Sequence, residues 1–162
     1  LFALIMRKKS KYKPRPIIPN TMAYVLSGMM PVMHMKNYMV EVQLKNHLAL
    51  EAFRKGEASK EDINTLINAF NITEALIKHK IGQEYSEEVR TAQNALYEVA
   101  KRGAENLRFV ARGLELQAIN LAMEIHDAQL EISTVKDIEK ATDLVTETIR
   151  NKRARPIVEH HD

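Results

Sequence analysis

Apolar positions recur every three or four residues over most of the chain. From Val32 to Lys55, Val40, Leu44 and Leu48 repeat at four, with Met39, Val42 and Phe53 widening the stripe. This spacing predicts an amphipathic helix with Gly56 as its stop. "SKED" then forms a capping box, with Ser59 as cap and the Asp62 carboxylate three residues on. The helix it starts carries Ile63, Leu66, Ile67, Phe70, Leu76 and Ile77 and ends at Gly82. Ser86 is a cap for the next helix, and Glu87 and Glu88 suit its first turn. Val89, Leu96, Val99 and Ala100 give that helix a thinner stripe, up to Arg102.

Gly103 to Gly113 reads as a connection, although "AENLRFVAR" can hold a helical turn. Beyond it, Leu114, Ala118, Leu121, Ile125, Ala128, Ile132 and Val135 alternate at four and three. Ile138, Ala141, Val145 and Ile149 continue after a change of phase. Such a seam resembles a coiled coil and predicts full burial, within a bundle or in a homodimer. "TVKD" at Thr134 is a second capping signal, so one long helix and two in tandem both fit. Near the N-terminus, "NTMAYVLSGMMP" predicts a short helix, capped by Asn20 or Thr21 and ended by Gly28 and Pro31. Only Met39 to Leu44 alternates in a strand-like way.

The expected fold is all-α. It is a bundle of four to six helices with short loops, antiparallel neighbours, a long C-terminal amphipathic helix and a disordered basic N-terminal arm. The expected divisions are an arm at 1–20, a bundle at 21–150 and a polar tail at 151–162. The arm holds Pro14, Pro16 and Pro19 and has almost no apolar period, which predicts an extended chain. Met6 is a candidate start, with residues 1–5 supplied by upstream sequence.

Composition alters this picture in two places. The chain has no cysteine, which removes disulfides, thiolate nucleophiles and Cys-zinc sites. The net charge of +3 conceals a division. Six cations lie between Arg7 and Arg15, and four more are Arg150, Lys152, Arg153 and Arg155. The remaining 14 basic residues face 19 acidic ones between 16 and 149, so the body is acidic by about five charges. "LFALIM" is too short to span a membrane and precedes the cations, where a signal peptide would follow them.

Candidate chemistry is sparse. The chain shows no Gly-x-Ser-x-Gly, no phosphate loop and no His-Glu-x-x-His or Glu-x-x-His pair, so no catalytic, cofactor or metal residue is assigned. "EIHD" brings Glu124, His126 and Asp127 together in sequence, but residues two apart on a helix do not share a face. A hydrogen-bonded or surface histidine is the preferred reading of His126. The terminal "HHD" is a weak chelator, and His34, His47 and His79 stand apart. Met22, Met29, Met30, Met33, Met35 and Met39 fall within 18 residues. Core packing is the preferred reading, with a plastic partner groove as the alternative.

The arm carries the main functional expectation. Arg7, Lys8, Lys9, Lys11, Lys13 and Arg15 suit phosphates, and Tyr12 offers a ring to an unpaired base. "KPRP" loosely matches a minor-groove hook of the Gly-Arg-Pro type, with Pro14 in the place of the glycine. "KPRPIIP" also has the spacing of a proline-rich ligand for aromatic grooves. A solubilising tail is the third reading. A nucleic-acid binder should gather Lys101, Arg102, Arg108 and Arg112 on one face with the arm. An adaptor should instead expose an apolar or acidic patch.

The run "RKKSKYKPRPIIPNTMAYVLSGMMPV", together with "EIHDAQLEISTVKDIEKA", resembles small uncharacterised helical proteins of phages and prophages of Gram-negative bacteria. The resemblance extends from Arg7 to about Ala141 and brings no catalytic or binding residue with it. It implies a bacterial cytoplasm and a phage setting and speaks against an enzyme; with the basic arm, the expected function is a non-enzymatic protein that binds nucleic acid or a nucleic-acid-bound complex. The alternative it allows is an adaptor or inhibitor of host machinery, anti-defence proteins included, that uses its acidic helical body.

Overall fold

The computed structural model describes residues 21–106, 108–151 and 153, and among them every regular element is helical. The helices are α1 (Thr21–Gly28), α2 (Lys36–Lys55), α3 (Lys60–Lys78), α4 (Ser86–Asn106), α5 (Gly113–Ile132) and α6 (Val135–Arg150), with short 3-10 turns at Val32–His34 and Gln83–Tyr85. The strand-like stretch Met39 to Leu44 lies inside α2. The arm, including Arg7 to Arg15, and the tail from 154 lie outside the described residues.

Local chemistry sets the helix ends. The Ser59 N–H donates to Asp62 Oδ2 at 2.7 Å, and the Asp62 N–H donates to Ser59 Oγ at 3.2 Å. Gly56 closes α2 at φ 70°, a left-handed conformation that a side chain would strain. The second capping signal decides the C-terminal question. The Thr134 N–H donates to Asp137 Oδ2 at 2.9 Å, and the Asp137 N–H returns to Thr134 Oγ1 at 3.3 Å. Ser133 and Thr134 are extended there, so the expected long C-terminal helix is two helices, α5 and α6.

Helix α3 is central and packs against α2, α4, α5 and α6. Leu50 and Phe53 of α2, Leu66 and Phe70 of α3, Leu96 and Val99 of α4, and Ile119 and Met123 of α5 form the main core. Helix α6 adds a second layer, seating Ala141 and Val145 on Ala75 and Leu76. Helix α4 runs to Asn106, past the expected stop at Gly103. A Cβ at position 103 would overlap the Phe109 ring, so this glycine serves close packing, with α4 passing through it.

Two burial expectations and one helix boundary are corrected. Val40, Leu44 and Leu48 are exposed, and α2 buries Met39, Asn46, Ala49, Leu50 and Phe53 instead. The α2 helix begins at Lys36, because Val32 belongs to the preceding 3-10 turn. In the seam expected to be fully buried, Ile125 is buried, but Leu114 is 81% and Ile132 72% exposed, and Leu121 and Ala128 also face out. The helix turns Ile119, Ala122, Met123 and Leu130 inward instead, with the polar His126 and Gln129 buried among them. No helix among the described residues is long and apolar enough to cross a membrane.

Candidate partner-binding surface

The segment between α1 and α2 is held against the α5–α6 junction by its backbone. The Val32 N–H donates to the Ser133 carbonyl at 3.0 Å, and the Val135 N–H donates to the Met30 carbonyl at 2.9 Å. Val32 is the buried anchor, packed with Met39 and Leu130. With this one side chain inward, the methionines around it are turned outward.

Met22, Met29, Met30, Met33 and Met35 are all exposed, and of the six clustered methionines only Met39 is buried. The preferred core reading of this cluster is therefore corrected. On α1, Met22, Val25 and Leu26 are exposed at helical spacing and make one apolar face, which Met29 continues just past the end of the helix. Beside it, Val32, Met35, Tyr38, Val135 and Ile138 line an open groove of about 500 Å³. Glu139, Thr142 and Asp143 complete the lining, so the α6 side of the groove carries two carboxylates.

Asp137, one turn from the groove, already serves the cap. Burial pushes its carboxyl up, but the hydroxyl and backbone N–H of Thr134 outweigh this and hold it below the usual range. Glu139 and Asp143, by contrast, have no ion-pair partner among the described residues. The groove thus offers soft, adaptable apolar contacts beside open negative charge.

Of the four body cations expected to form a face with the arm, three stay open, and the arm itself lies outside the described residues. Arg102 is consumed internally, its Nη1 and Nη2 reaching Glu115 Oε1 and Oε2 at 2.8 and 2.7 Å. That hydrogen-bonded pair lowers the Glu115 pKa and raises that of Arg102. Lys101, Arg108 and Arg112 are exposed around the α4–α5 connection. That connection is at the N-terminal end of α5, whereas the α1–α2 segment joins its C-terminal end. Twenty helical residues separate the two by about 30 Å.

The "EIHD" residues also separate. Glu124 is exposed, Asp127 accepts a bond from His47 at 2.8 Å, and His126 is buried against Thr73 at 2.9 Å. Among the described residues no group of three or more His, Asp or Glu is arranged to hold a metal. Comparison with protein-family models, with curated proteins and with solved structures finds no match for this chain.

Proposed function

We propose that this protein is a non-enzymatic adaptor or inhibitor that binds a protein partner through the apolar groove between the α1–α2 segment and α6, together with the exposed methionines near it. The observation that carries this reading is the outward turn of five clustered methionines beside a groove bordered by Glu139 and Asp143. Flexible thioether chains repack around different apolar anchors at small cost. The partner segment that fits is amphipathic, with large apolar anchors for the groove and Lys or Arg beside them for the two carboxylates. A host or phage protein is the expected source.

Met33→Glu combined with Met35→Glu tests the proposal. Both side chains are exposed, so melting should be unchanged. Wild-type protein should capture a partner from bacterial lysate whether or not nuclease is added, and the captured partner should bind the variant at least about tenfold more weakly. Equal binding by the variant, or capture abolished by nuclease, counts against the groove.

A second reading rests on the arm, whose six cations in nine residues suit a polyanion. With roughly four cations on phosphate, duplex affinity should fall with salt at a log–log slope of about −3 to −4. Deleting residues 1–15 should remove most of that slope, because the body is acidic. Tyr12→Ala should weaken single-strand binding more than duplex binding. Titration of a labelled oligonucleotide at several salt concentrations decides it, and an unchanged slope after truncation removes the arm from consideration.

A further inference from the structure

Helix α2 is apolar on two opposite faces. One face carries Met39, Leu50 and Phe53 into the core, and the other presents Val40, Leu44 and Leu48 to solvent. A helix in a monomeric bundle needs only the first. The outward residues are spaced at four and form a straight ridge about 12 Å long. Leu44, at its centre, is 57% exposed.

We propose that the ridge is covered by the same ridge of a second copy, with the two α2 helices antiparallel about a twofold axis at Leu44. The ridge is separate from the groove: its period marks it as apolar, and the monomer leaves it bare.

The pattern is self-complementary. A twofold axis at Leu44 sets Val40 against the partner's Leu48, so the ridge closes on itself without a gap. The flanking charges also match under this symmetry. Glu41 falls beside the partner's Lys45 on one flank, and Glu51 beside the partner's Lys36 on the other. Within the chain, Glu41, Lys45 and Lys36 have no ion-pair partner among the described residues. Glu51 meets Arg54 and Lys55 only at 3.6 Å, on exposed side chains that exchange easily.

The exposed ridge of α5 fails the same test. Leu114 and Leu121 are bordered by Glu124 and Glu131, and α5 contains no lysine or arginine. A second copy laid along it would set acid against acid. The homodimer expected from the α5 seam is thereby relocated to α2.

One helix pair covers less than the roughly 800 Å² per partner of a stable interface, so monomer and dimer should exchange with concentration. Analytical ultracentrifugation of the full chain tests this. The wild-type mass should rise from 18.6 kDa towards twice that value between micromolar and near-millimolar concentration. Leu44→Glu and Leu44→Lys, each alone, place like charges across the axis and should stay at 18.6 kDa. Mixed in equal amounts, the two variants should recover the heavier species, because opposite charges then meet.

The exposed position keeps the fold intact, which an unchanged thermal melt verifies. A wild-type chain that is monomeric at every concentration overturns the proposal and leaves the ridge to a different partner. Variants that associate as well as wild type place the interface elsewhere. A mixture that stays monomeric overturns the antiparallel register about Leu44.

Discussion

Ile125→Asp is expected to unfold the protein, and Leu114→Asp to leave it as stable as wild type. The two positions belong to one apolar seam in the sequence and differ only in what the bundle does with them. Ile125 packs against Ile77 and Val89 between α3 and α4, at 6% exposure. Aspartate there removes the aliphatic contacts and buries an unpaired carboxylate, a loss above about 4 kcal/mol. The whole stability of such a domain is about 5–15 kcal/mol. Leu114 lies in solvent in the first turn of α5, where a carboxylate suits the helix dipole, and its replacement should stay within about 0.5 kcal/mol. Thermal melts followed by circular dichroism decide the pair. Wild-type melting of Ile125→Asp, or a large loss for Leu114→Asp, would reverse the orientation of α5.

Acid should destabilise the protein well above the range where carboxylates titrate, and His126 is the reason. Its ring is fully buried, and burial lowers its pKa to about 4, with Asp127 opposing the shift and His47 adding to it. The Thr73 hydroxyl donates to the Ala69 carbonyl at 3.0 Å, which leaves its oxygen to accept from His126 Nδ1–H at 2.9 Å. Nε2 is then an unprotonated nitrogen with no partner among the described residues. A proton there would be a buried charge.

The unfolded chain binds that proton with the ordinary histidine pKa of about 6.5. Between about 6.5 and 4 the unfolded state therefore holds more protons, and stability falls as pH falls through that window. The full loss is about 3 kcal/mol. Glu74, Glu115 and Asp137 all have lowered pKa values, so the stability they add is lost only as pH falls further. Urea midpoints at pH 7 and pH 5 should differ for wild type. His126→Gln should remove most of that difference, whatever it costs in packing at pH 7. An equal pH dependence in the variant would refute this account.

The two functional readings make different physical demands. A polyanion needs converging cations; Arg102 is spent on Glu115, Lys101, Arg108 and Arg112 stay exposed around the α4–α5 connection, and the arm lies outside the described residues. A protein partner needs apolar surface with open charge beside it, and the groove bordered by Glu139 and Asp143, with exposed methionines near it, has both features.

Much of the fold was legible in the sequence because its signals are local. Ser59 with Asp62 and Thr134 with Asp137 satisfy backbone donors three residues away, so "SKED" and "TVKD" mark helix starts whatever packs nearby. Gly56 ends α2 for the same kind of reason, since only its own φ is at stake. The candidate site was less legible. The methionine cluster was visible, but methionine fits a core and a surface equally well, and only the single inward anchor at Val32 turned its neighbours out.

By itself the sequence determined that the chain is helical, where most helices begin and end, and that α2 and α5 each carry more apolar positions than one contact face requires. Tertiary structure alone decided which of those faces is buried. On α2, Phe53 and Leu50 win the core over Leu44 and Leu48 because α3 presents Leu66 and Phe70 to that side. On α5, Ile119 and Met123 win over Leu114 and Leu121 because α4 brings Leu96 and Val99. An apolar side chain has the same transfer free energy on either face of its helix, so the choice belongs to the neighbours and to the volume they leave to be filled.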